Sequence, residues 1–143
     1  LAGNGALGEE GKWKKGDIVE YRLPMPIQRI QAQDVLKQDQ QRVALQRGPL
    51  VYCIEGADND GKAWNIVFPN NATIVEKPMQ VLTEKVIGLT ASLPSLQINA
   101  DGTNVQTVIK EVVAIPYYTW CNRGSNQMQV WFPTAIKDVK LNY

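Results

Sequence analysis

The sequence predicts an all-β protein, an antiparallel β-sandwich or jelly-roll-like fold with about eight to ten short strands. Along most of the chain apolar residues alternate with polar ones at period two, the spacing of a strand with one buried face. Clusters of Gly, Pro, Asn and Asp interrupt these runs at short intervals. No stretch shows the period of an amphipathic helix. Two packed sheets are therefore the simplest arrangement for the 143 residues.

In the first part of the chain the predicted strands are short and the turns are polar. The turn Trp13–Asp17 precedes an alternating run over Val19–Leu23, which Pro24 ends. Gln28–Ala32 predicts a second strand, and the polar stretch Asp34–Gln41 predicts a loop or a turn of helix. We expect these runs to supply the first two strands of the sandwich.

The most distinctive run is Arg42–Glu55, with the sequence RVALQRGPLVYCIE. Its two apolar halves predict two strands that meet at Gly48-Pro49. Because Pro49 cannot donate to a β-ladder, this joint should be a bend, a bulge or a tight connection. The half after Pro49 is apolar at odd and even positions alike, so we expect it to be buried on both faces.

The second half of the chain supplies the remaining strands, with a clear turn at Asn99–Asn104. Thr107–Ile115 is rich in β-branched residues, and we expect Tyr117–Trp120 to continue this strand beyond Pro116. The other predicted strands are Trp64–Phe68, Thr73–Val75, Val86–Leu93, Met128–Phe132 and Ile136–Leu141.

Composition argues against several classes of function. The net charge is +1, so no basic surplus indicates nucleic acid, and no apolar run approaches the roughly 20 residues of a membrane helix. The absence of histidine removes the commonest general base, the commonest metal ligand and any Ser–His or Cys–His pair. Cys53 and Cys121 cannot complete a four-ligand zinc site alone. We interpret them as buried free thiols, with a disulfide as the alternative.

The domain organisation is simple. Residues 1–12 are rich in glycine and show no period, and we interpret them as a flexible lead-in. Residues 13–143 form a single β-sandwich domain in this prediction. The sequence starts without an initiating Met, so we expect it to be cut from a longer polypeptide.

Five motifs occur in an order that resembles one enzyme family. They are Trp13–Asp17 (WKKGD), Leu23–Met25 (LPM), Arg42–Glu55 with Asp58-Asn59, Ala114–Gly124 (AIPYYTWCNRG) and Met128–Trp131 (MQVW). From Trp13 to about Pro133 the chain is similar to the β-sandwich region that follows the catalytic barrel in glycoside hydrolase family 127. This family contains β-L-arabinofuranosidases.

The resemblance implies that the catalytic chemistry lies elsewhere in the parent protein. Members of the family hold the active site in an (α/α)6 barrel, with a cysteine nucleophile and with zinc bound by cysteines and a glutamate. No position here matches those barrel motifs, so we assign no catalytic residue and no cofactor to this chain. Any zinc would belong to the barrel. Cys121 stands where the family pattern has a small residue such as Ala, which favours a structural role.

The acidic residues after the Arg42–Glu55 run are one candidate site. Glu55, Asp58 and Asp60 cluster there, and glycosidases use paired carboxylates. Nothing nearby in the sequence would divide them into an acid and a base, so we interpret them as a strand end followed by a polar turn. The alternative is calcium bound by Asp58 and Asp60, although their spacing does not fit an EF-hand.

The aromatic residues near the C-terminus are the better binding candidates. Sugar rings present apolar C–H faces that stack on flat aromatic surfaces. If Tyr117–Trp120 is a strand, Tyr118 and Trp120 share a face and Arg123 follows them. We therefore consider a carbohydrate-binding strip of Tyr118, Trp120 and Arg123. Packing in the core or against a neighbouring domain is the favoured interpretation, and Arg123 would pair with a carboxylate in either case.

Together these observations predict a noncatalytic module that braces the upstream (α/α)6 barrel of a family 127-like glycoside hydrolase and contributes to dimerisation. The alternative is an autonomous carbohydrate-binding module that uses the aromatic strip. The expected partners are the barrel of the same polypeptide, a second copy and a saccharide, with neither nucleic acid nor a membrane. Bacterial relatives that degrade plant polysaccharide are often exported, so the resemblance implies a periplasmic or secreted parent.

Overall fold

The computed structural model describes residues 12–33 and 36–139. Within these ranges the strands are β1 (Ile27–Gln31), β2 (Arg42–Arg47), β3 (Leu50–Glu55), β4 (Val75–Val81), β5 (Glu84–Ile98), β6 (Val105–Pro116), β7 (Met128–Gln129) and β8 (Phe132–Pro133). Three 3-10 turns lie at Gly56–Asp58, Tyr117–Thr119 and Ile136–Asp138. In the described part of the chain no helix has the length and apolar character to cross a membrane. The predicted lead-in lies outside the described residues except for Lys12.

The strands pair in the order β1-β2-β3-β6-β5-β4, with β7 added to β3 and β8 added to β2. Every pair is antiparallel. The predicted all-β, sandwich-like class is therefore confirmed. The hydrogen bonds follow one continuous path. β5 is longer than predicted, at 15 residues, whereas β6 starts earlier than predicted and ends at Pro116.

From Tyr52 to Glu55, β3 is buried on both faces, as the Arg42–Glu55 pattern predicts, but Val51 near its start is 42% exposed, contrary to the prediction. On one face Tyr52 and Ile54 of β3 join a large apolar cluster, which is covered by the segment 63–68. Within that cluster Phe68 stacks on Phe132 with ring centroids 5.7 Å apart. On the other face Cys53 and other side chains form a smaller cluster. The central sheet thus carries apolar side chains on both sides, which is what a sandwich-like core requires.

The connection at Gly48-Pro49 is a tight hairpin, as predicted. Arg47 pairs with Leu50, so Gly48 and Pro49 are the only loop residues between β2 and β3. Gly48 has φ +56°, a value that a two-residue hairpin requires and that glycine adopts without steric cost.

Some strand predictions are wrong, because period-two alternation also occurs in segments that find no partner. Val19–Leu23 is exposed and belongs to no strand. Trp64–Phe68 makes one isolated bridge, from Ile66 to Ser95. Tyr117–Trp120 does not continue β6, since the chain enters a 3-10 turn after Pro116. A 3-10 turn also replaces the first part of the strand predicted from Ile136, and its last residues lie outside the described ranges.

Candidate functional site

The described part of the chain holds a buried ion-pair cluster, which we call the Arg123 clamp (Glu55, Asp58 and Arg123). Glu55 ends β3, Asp58 lies in the following 3-10 turn, and Arg123 comes from the loop after Tyr117–Thr119. Arg123 donates from Nη1 to Asp58 Oδ1 at 2.7 Å and from Nη2 to Asp58 Oδ2 at 2.6 Å. Nη2 also donates to Glu55 Oε2. This geometry ties two segments that are far apart in sequence.

The second oxygen of Glu55 is also occupied. Glu55 Oε1 accepts hydrogen bonds from Asn126 Nδ2 at 3.0 Å and from the backbone N–H of Cys121 at 3.2 Å. The side chain of Glu55 is 0% exposed and that of Arg123 is 19% exposed. A buried carboxylate with every oxygen bound is compatible with folding, because its partners replace the water it has lost.

These contacts set the charge state of the clamp. Burial by itself would raise the pKa of Glu55, but the hydrogen bonds from Asn126 and Arg123, the charge of Arg123 and the Cys121 N–H together hold it below its usual value. The pKa of Arg123 is raised, chiefly by the hydrogen bonds that it donates to Asp58, against the effect of burial. Glu55 and Arg123 are therefore both ionised at neutral pH.

Positive backbone angles in the 117–124 loop accompany this arrangement. Cys121 has φ +67° and Gly124 has φ +88°, so the chain turns sharply on either side of Arg123. A non-glycine residue in this region is held there by its surroundings, and the Cys121 N–H bond to Glu55 is one such constraint. The contact of Cys121 with the clamp is therefore made by its backbone N–H, while its side chain is exposed.

The clamp is poorly suited to acid–base catalysis. Paired carboxylates in a glycosidase must face the substrate, whereas the Glu55 side chain has no exposed surface and Asp58 is held by both terminal nitrogens of Arg123. The interpretation as a strand end and a polar turn fits these contacts, with Arg123 as the predicted carboxylate partner. The sequence could not show which carboxylate Arg123 meets, because its partners lie 65 and 68 residues away.

The candidate calcium ligands among the described residues are already engaged by cationic side chains. Asp58 is engaged by Arg123, and Asp60 Oδ2 accepts from Lys110 Nζ at 3.1 Å. In residues 12–33 and 36–139 no group of three or more Cys, Asp or Glu side chains is placed to hold a metal. Calcium at Asp58 and Asp60 stays a prediction without a supporting contact. The zinc chemistry of the family does not fit these residues, and we derive no step through it.

The aromatic strip takes a different form from the predicted one. Because Tyr117–Thr119 is a 3-10 turn, the ring of Trp120 lies near Tyr117, with centroids 6.2 Å apart. Trp120 packs against the smaller apolar cluster, while Tyr118 is 62% exposed. The guanidinium of Arg123 is held in the clamp. Carbohydrate binding by Tyr118, Trp120 and Arg123 stays a prediction; Tyr118 is exposed, whereas Trp120 and Arg123 are partly buried.

Acid should destabilise the protein through Glu55. Its folded-state pKa lies below the unfolded value of about 4.3, so its stabilising contribution is complete above that value and is lost as the pH falls through the folded pKa. We expect the melting temperature to fall between about pH 5 and pH 3. Thermal unfolding across this range tests the expectation, with the Glu55→Gln variant as control. An equal slope in the variant would contradict a role for Glu55.

The two cysteines should differ in reactivity. Cys53 is fully buried, and burial raises the pKa of its thiol to about 12, with the charges of Glu55 and Asp58 adding to the effect. Cys121 is exposed, and both thiols are free, so the predicted burial holds for Cys53 alone. Since only a thiolate reacts rapidly, we expect a chromogenic disulfide reagent to modify one thiol in the native protein and two in denaturant. Rapid modification of both in the native state would show that Cys53 is accessible.

The described fold matches a known family of domains. The family model for the glycoside hydrolase family 127 C-terminal domain matches residues 27–133 of this sequence, from the start of β1 to the end of β8. The chain belongs to this family. The resemblance drawn from the sequence motifs is thereby confirmed.

Individual relatives agree with this assignment. A non-reducing end β-L-arabinofuranosidase from Bifidobacterium longum subsp. longum is 29% identical over 129 residues, which are 81% of this chain and 20% of that protein. A crystal structure of a GH127 β-L-arabinofuranosidase from Geobacillus stearothermophilus T6 matches with TM-score 0.69 at 34% identity, covering 77% of this chain and 18% of that one. A GH127 β-arabinofuranosidase structure matches with TM-score 0.74 at 28% identity, covering 81% and 18%. This chain therefore spans about a fifth of the length of the curated relative.

Proposed function

We propose that this chain is a noncatalytic accessory domain of a family 127-like glycoside hydrolase, which braces an upstream catalytic (α/α)6 barrel of the same polypeptide. The observation that carries the proposal is the family match over residues 27–133. In the relatives named as arabinofuranosidases the matching region is 18–20% of the protein. Most of the length of those enzymes lies outside the region that this chain resembles.

The chemistry of the described residues supports the noncatalytic part of the proposal. The carboxylates of Glu55 and Asp58 are bound by Arg123, and the Cys53 thiol is buried. A nucleophile must reach the anomeric carbon of a sugar, and neither Glu55 nor Cys53 has exposed surface. The natural parent enzyme would therefore take its reacting groups from its barrel.

The segment 17–24 supports the bracing part. It is unpaired in the described structure, yet it carries large apolar side chains, with Ile18 92% and Tyr21 74% exposed. Apolar groups grouped in this way on a surface typically mark a contact with another protein surface. We propose that the barrel covers this segment in the parent.

Hydrolysis assays test the noncatalytic role. The chain alone should not cleave an aryl β-L-arabinofuranoside, while the parent polypeptide that contains it should. Sustained turnover by the isolated chain, abolished by a substitution within it, would overturn the proposal. A parent from which residues 12–143 are deleted should lose thermal stability, and unchanged stability would contradict bracing.

Serine substitutions test the proposed contact. Tyr21→Ser in the parent should lower its free energy of unfolding by about 1–3 kcal/mol, because a covered apolar side chain is lost. The same change in the isolated chain should have little effect, since Tyr21 is exposed there. The matched control is Val105→Ser, because Val105 is also apolar and exposed but lies in β6. This change should leave the free energy of unfolding of the parent unchanged. Equal effects of Tyr21→Ser in the parent and in the isolated chain would argue against a barrel contact.

A contribution to dimerisation stays a prediction. If the domain contributes to dimerisation on its own, light scattering of the isolated chain should show twice the 16.0 kDa monomer mass, and the monomer mass would contradict this. The edge strand β4 does not favour pairing with a second copy, because it carries Pro78 and the exposed charges of Glu76 and Lys77. We therefore do not expect a dimer to form by strand addition at β4.

A further inference from the structure

The segment 19–23, with the sequence VEYRL, has the pattern of a strand but no strand partner. In the part of the chain that the structure describes, its N–H and C=O groups make no backbone–backbone hydrogen bond. All five residues are exposed, and Val19, Tyr21 and Leu23 are 63%, 74% and 59% exposed. Apolar and charged side chains thus alternate along a backbone that is free to pair with another strand.

The charged residues of the segment lie next to each other. Arg22 Nε donates to Glu20 Oε1 at 2.6 Å, and the Arg22 and Glu20 side chains are 86% and 69% exposed. Residues two apart in an extended chain share a face, so Glu20 and Arg22 form one face and the apolar residues form the other. A matching strand must therefore place a cation opposite Glu20, an anion opposite Arg22 and apolar side chains on the other face.

A second copy of the same segment meets these requirements in one antiparallel register. With Tyr21 opposite Tyr21 of the other copy, Glu20 lies opposite Arg22 and Val19 lies opposite Leu23. The ladder then contains two opposite-charge pairs together with apolar pairs, and both kinds of pair stabilise a sheet. A shift by two residues in either direction places Glu20 opposite Glu20 or Arg22 opposite Arg22. A shift by one residue places charged side chains opposite apolar ones, so the central register is the one that matches.

The proline that follows the segment is compatible with this register. In an antiparallel ladder every second residue pair exchanges backbone hydrogen bonds. If residues 19, 21 and 23 make these exchanges, the two copies form about six backbone hydrogen bonds. Pro24 then falls in a pair that requires no N–H, which proline lacks. In β4, by contrast, Pro78 lies inside the strand.

We propose that segment 19–23 pairs antiparallel with the same segment of a second copy and forms a two-stranded ribbon across a two-fold axis. The pairing uses the backbone edge and the charged face, and the apolar face stays available for the barrel contact proposed above. The proposal names the site of the predicted dimerisation and does not depend on the barrel contact. A ribbon this short buries less than the roughly 1,200 Å² of a stable interface, so we expect a dissociation constant of about 10 μM to 1 mM.

Charge reversal tests the pairing in the isolated chain, with analytical ultracentrifugation up to about 2 mM protein as the measurement. Glu20→Arg puts cations opposite each other in both charge pairs, and Arg22→Glu puts anions opposite each other. Each single variant should weaken dimerisation about tenfold. The double variant Glu20→Arg, Arg22→Glu restores opposite charges and should recover the wild-type dissociation constant. Folding should not change, because both side chains are exposed.

An equal mixture of the two single variants separates pairing between copies from other effects of the substitutions. The Glu20→Arg copy carries only cations on its charged face, and the Arg22→Glu copy carries only anions. We expect the mixed dimer to form at least as tightly as wild type, although each variant alone dimerises weakly. Glu111→Arg, at an exposed ion pair with Lys77, makes the same charge change elsewhere and should leave the dissociation constant unchanged.

Three outcomes would overturn the proposal. The first is a wild-type chain that stays monomeric at about 2 mM. The second is a dimer whose dissociation constant is the same in both single variants, which would move the interface elsewhere and leave dimerisation intact. The third is a mixture that dimerises no more tightly than its components. The hydrolysis assays and the Tyr21→Ser comparison test the accessory role separately, so failure here leaves that role untouched.

Discussion

Replacing Arg123 with Met is expected to lower the free energy of unfolding by about 3–5 kcal/mol. Among residues 12–33 and 36–139, the substitution removes the only cation bound to Glu55, and it leaves that carboxylate buried at 0% exposure. An uncompensated buried charge costs far more than the loss of an exposed ion pair, because no water replaces the missing partner. Urea unfolding followed by fluorescence measures the change.

Two further variants separate this cause from general damage. Arg22→Met removes an ion pair with Glu20 in which the Arg22 side chain is 86% exposed, and it should have no measurable effect. The double variant Arg123→Met, Glu55→Gln should recover part of the loss, since the neutral amide removes the stranded charge. A double variant no more stable than Arg123→Met would contradict this explanation.

The Arg123→Met variant should also reverse the pH dependence of stability. Without the guanidinium, burial dominates and raises the folded-state pKa of Glu55 above its unfolded value. The folded state then binds a proton more readily than the unfolded state, so lowering the pH toward the unfolded pKa stabilises the variant. Wild type and variant should therefore converge in stability as the pH falls.

The sequence predicted those elements that depend on neighbouring residues. The Gly48-Pro49 hairpin follows from the φ that glycine allows and the N–H that proline lacks, and both are local properties. The strand predicted at Thr107–Ile115 also forms, within β6. Local pattern alone was misleading at Val19–Leu23 and Tyr117–Trp120. Whether an alternating run becomes a strand depends on a hydrogen-bonding partner, and no sequence period encodes one.

The candidate sites were harder to predict because tertiary structure assembles them. Arg123 was expected to meet a carboxylate, but its partners come from the end of β3 and from the turn after it. The strip of Tyr118 and Trp120 is predicted with strand geometry, whereas the chain forms a 3-10 turn there, so the shared strand face is not present.

Asn59→Ala is expected to cost about 2–4 kcal/mol of unfolding free energy, from several buried backbone groups left unsatisfied. Asn59 Nδ2 donates to the carbonyls of Glu55 at 2.8 Å and of Val113 at 2.9 Å, while its Oδ1 accepts from the Val113 N–H at 2.9 Å. The β3–β6 ladder pairs Ile54 with Ala114, so the next pair would be Glu55 with Val113. The side-chain amide of Asn59 continues the ladder where the backbone of β3 turns away.

Hydrogen exchange distinguishes this bridge from a simple loss of packing. In Asn59→Ala the Val113 amide should exchange much faster than the other amides of β6, because its acceptor has been removed while the β5 pairing remains. Asn59→Asp keeps an acceptor for that amide but loses the donor to two carbonyls, so it should protect Val113 and still destabilise the protein. Asn71→Ala, at an exposed asparagine, is the control and should change neither quantity. If the Val113 amide stayed protected in Asn59→Ala, the Asn59 side chain would not be its essential acceptor. The backbone of β3 would then close the ladder, and the Arg123 clamp would hold the end of β3 without help from Asn59.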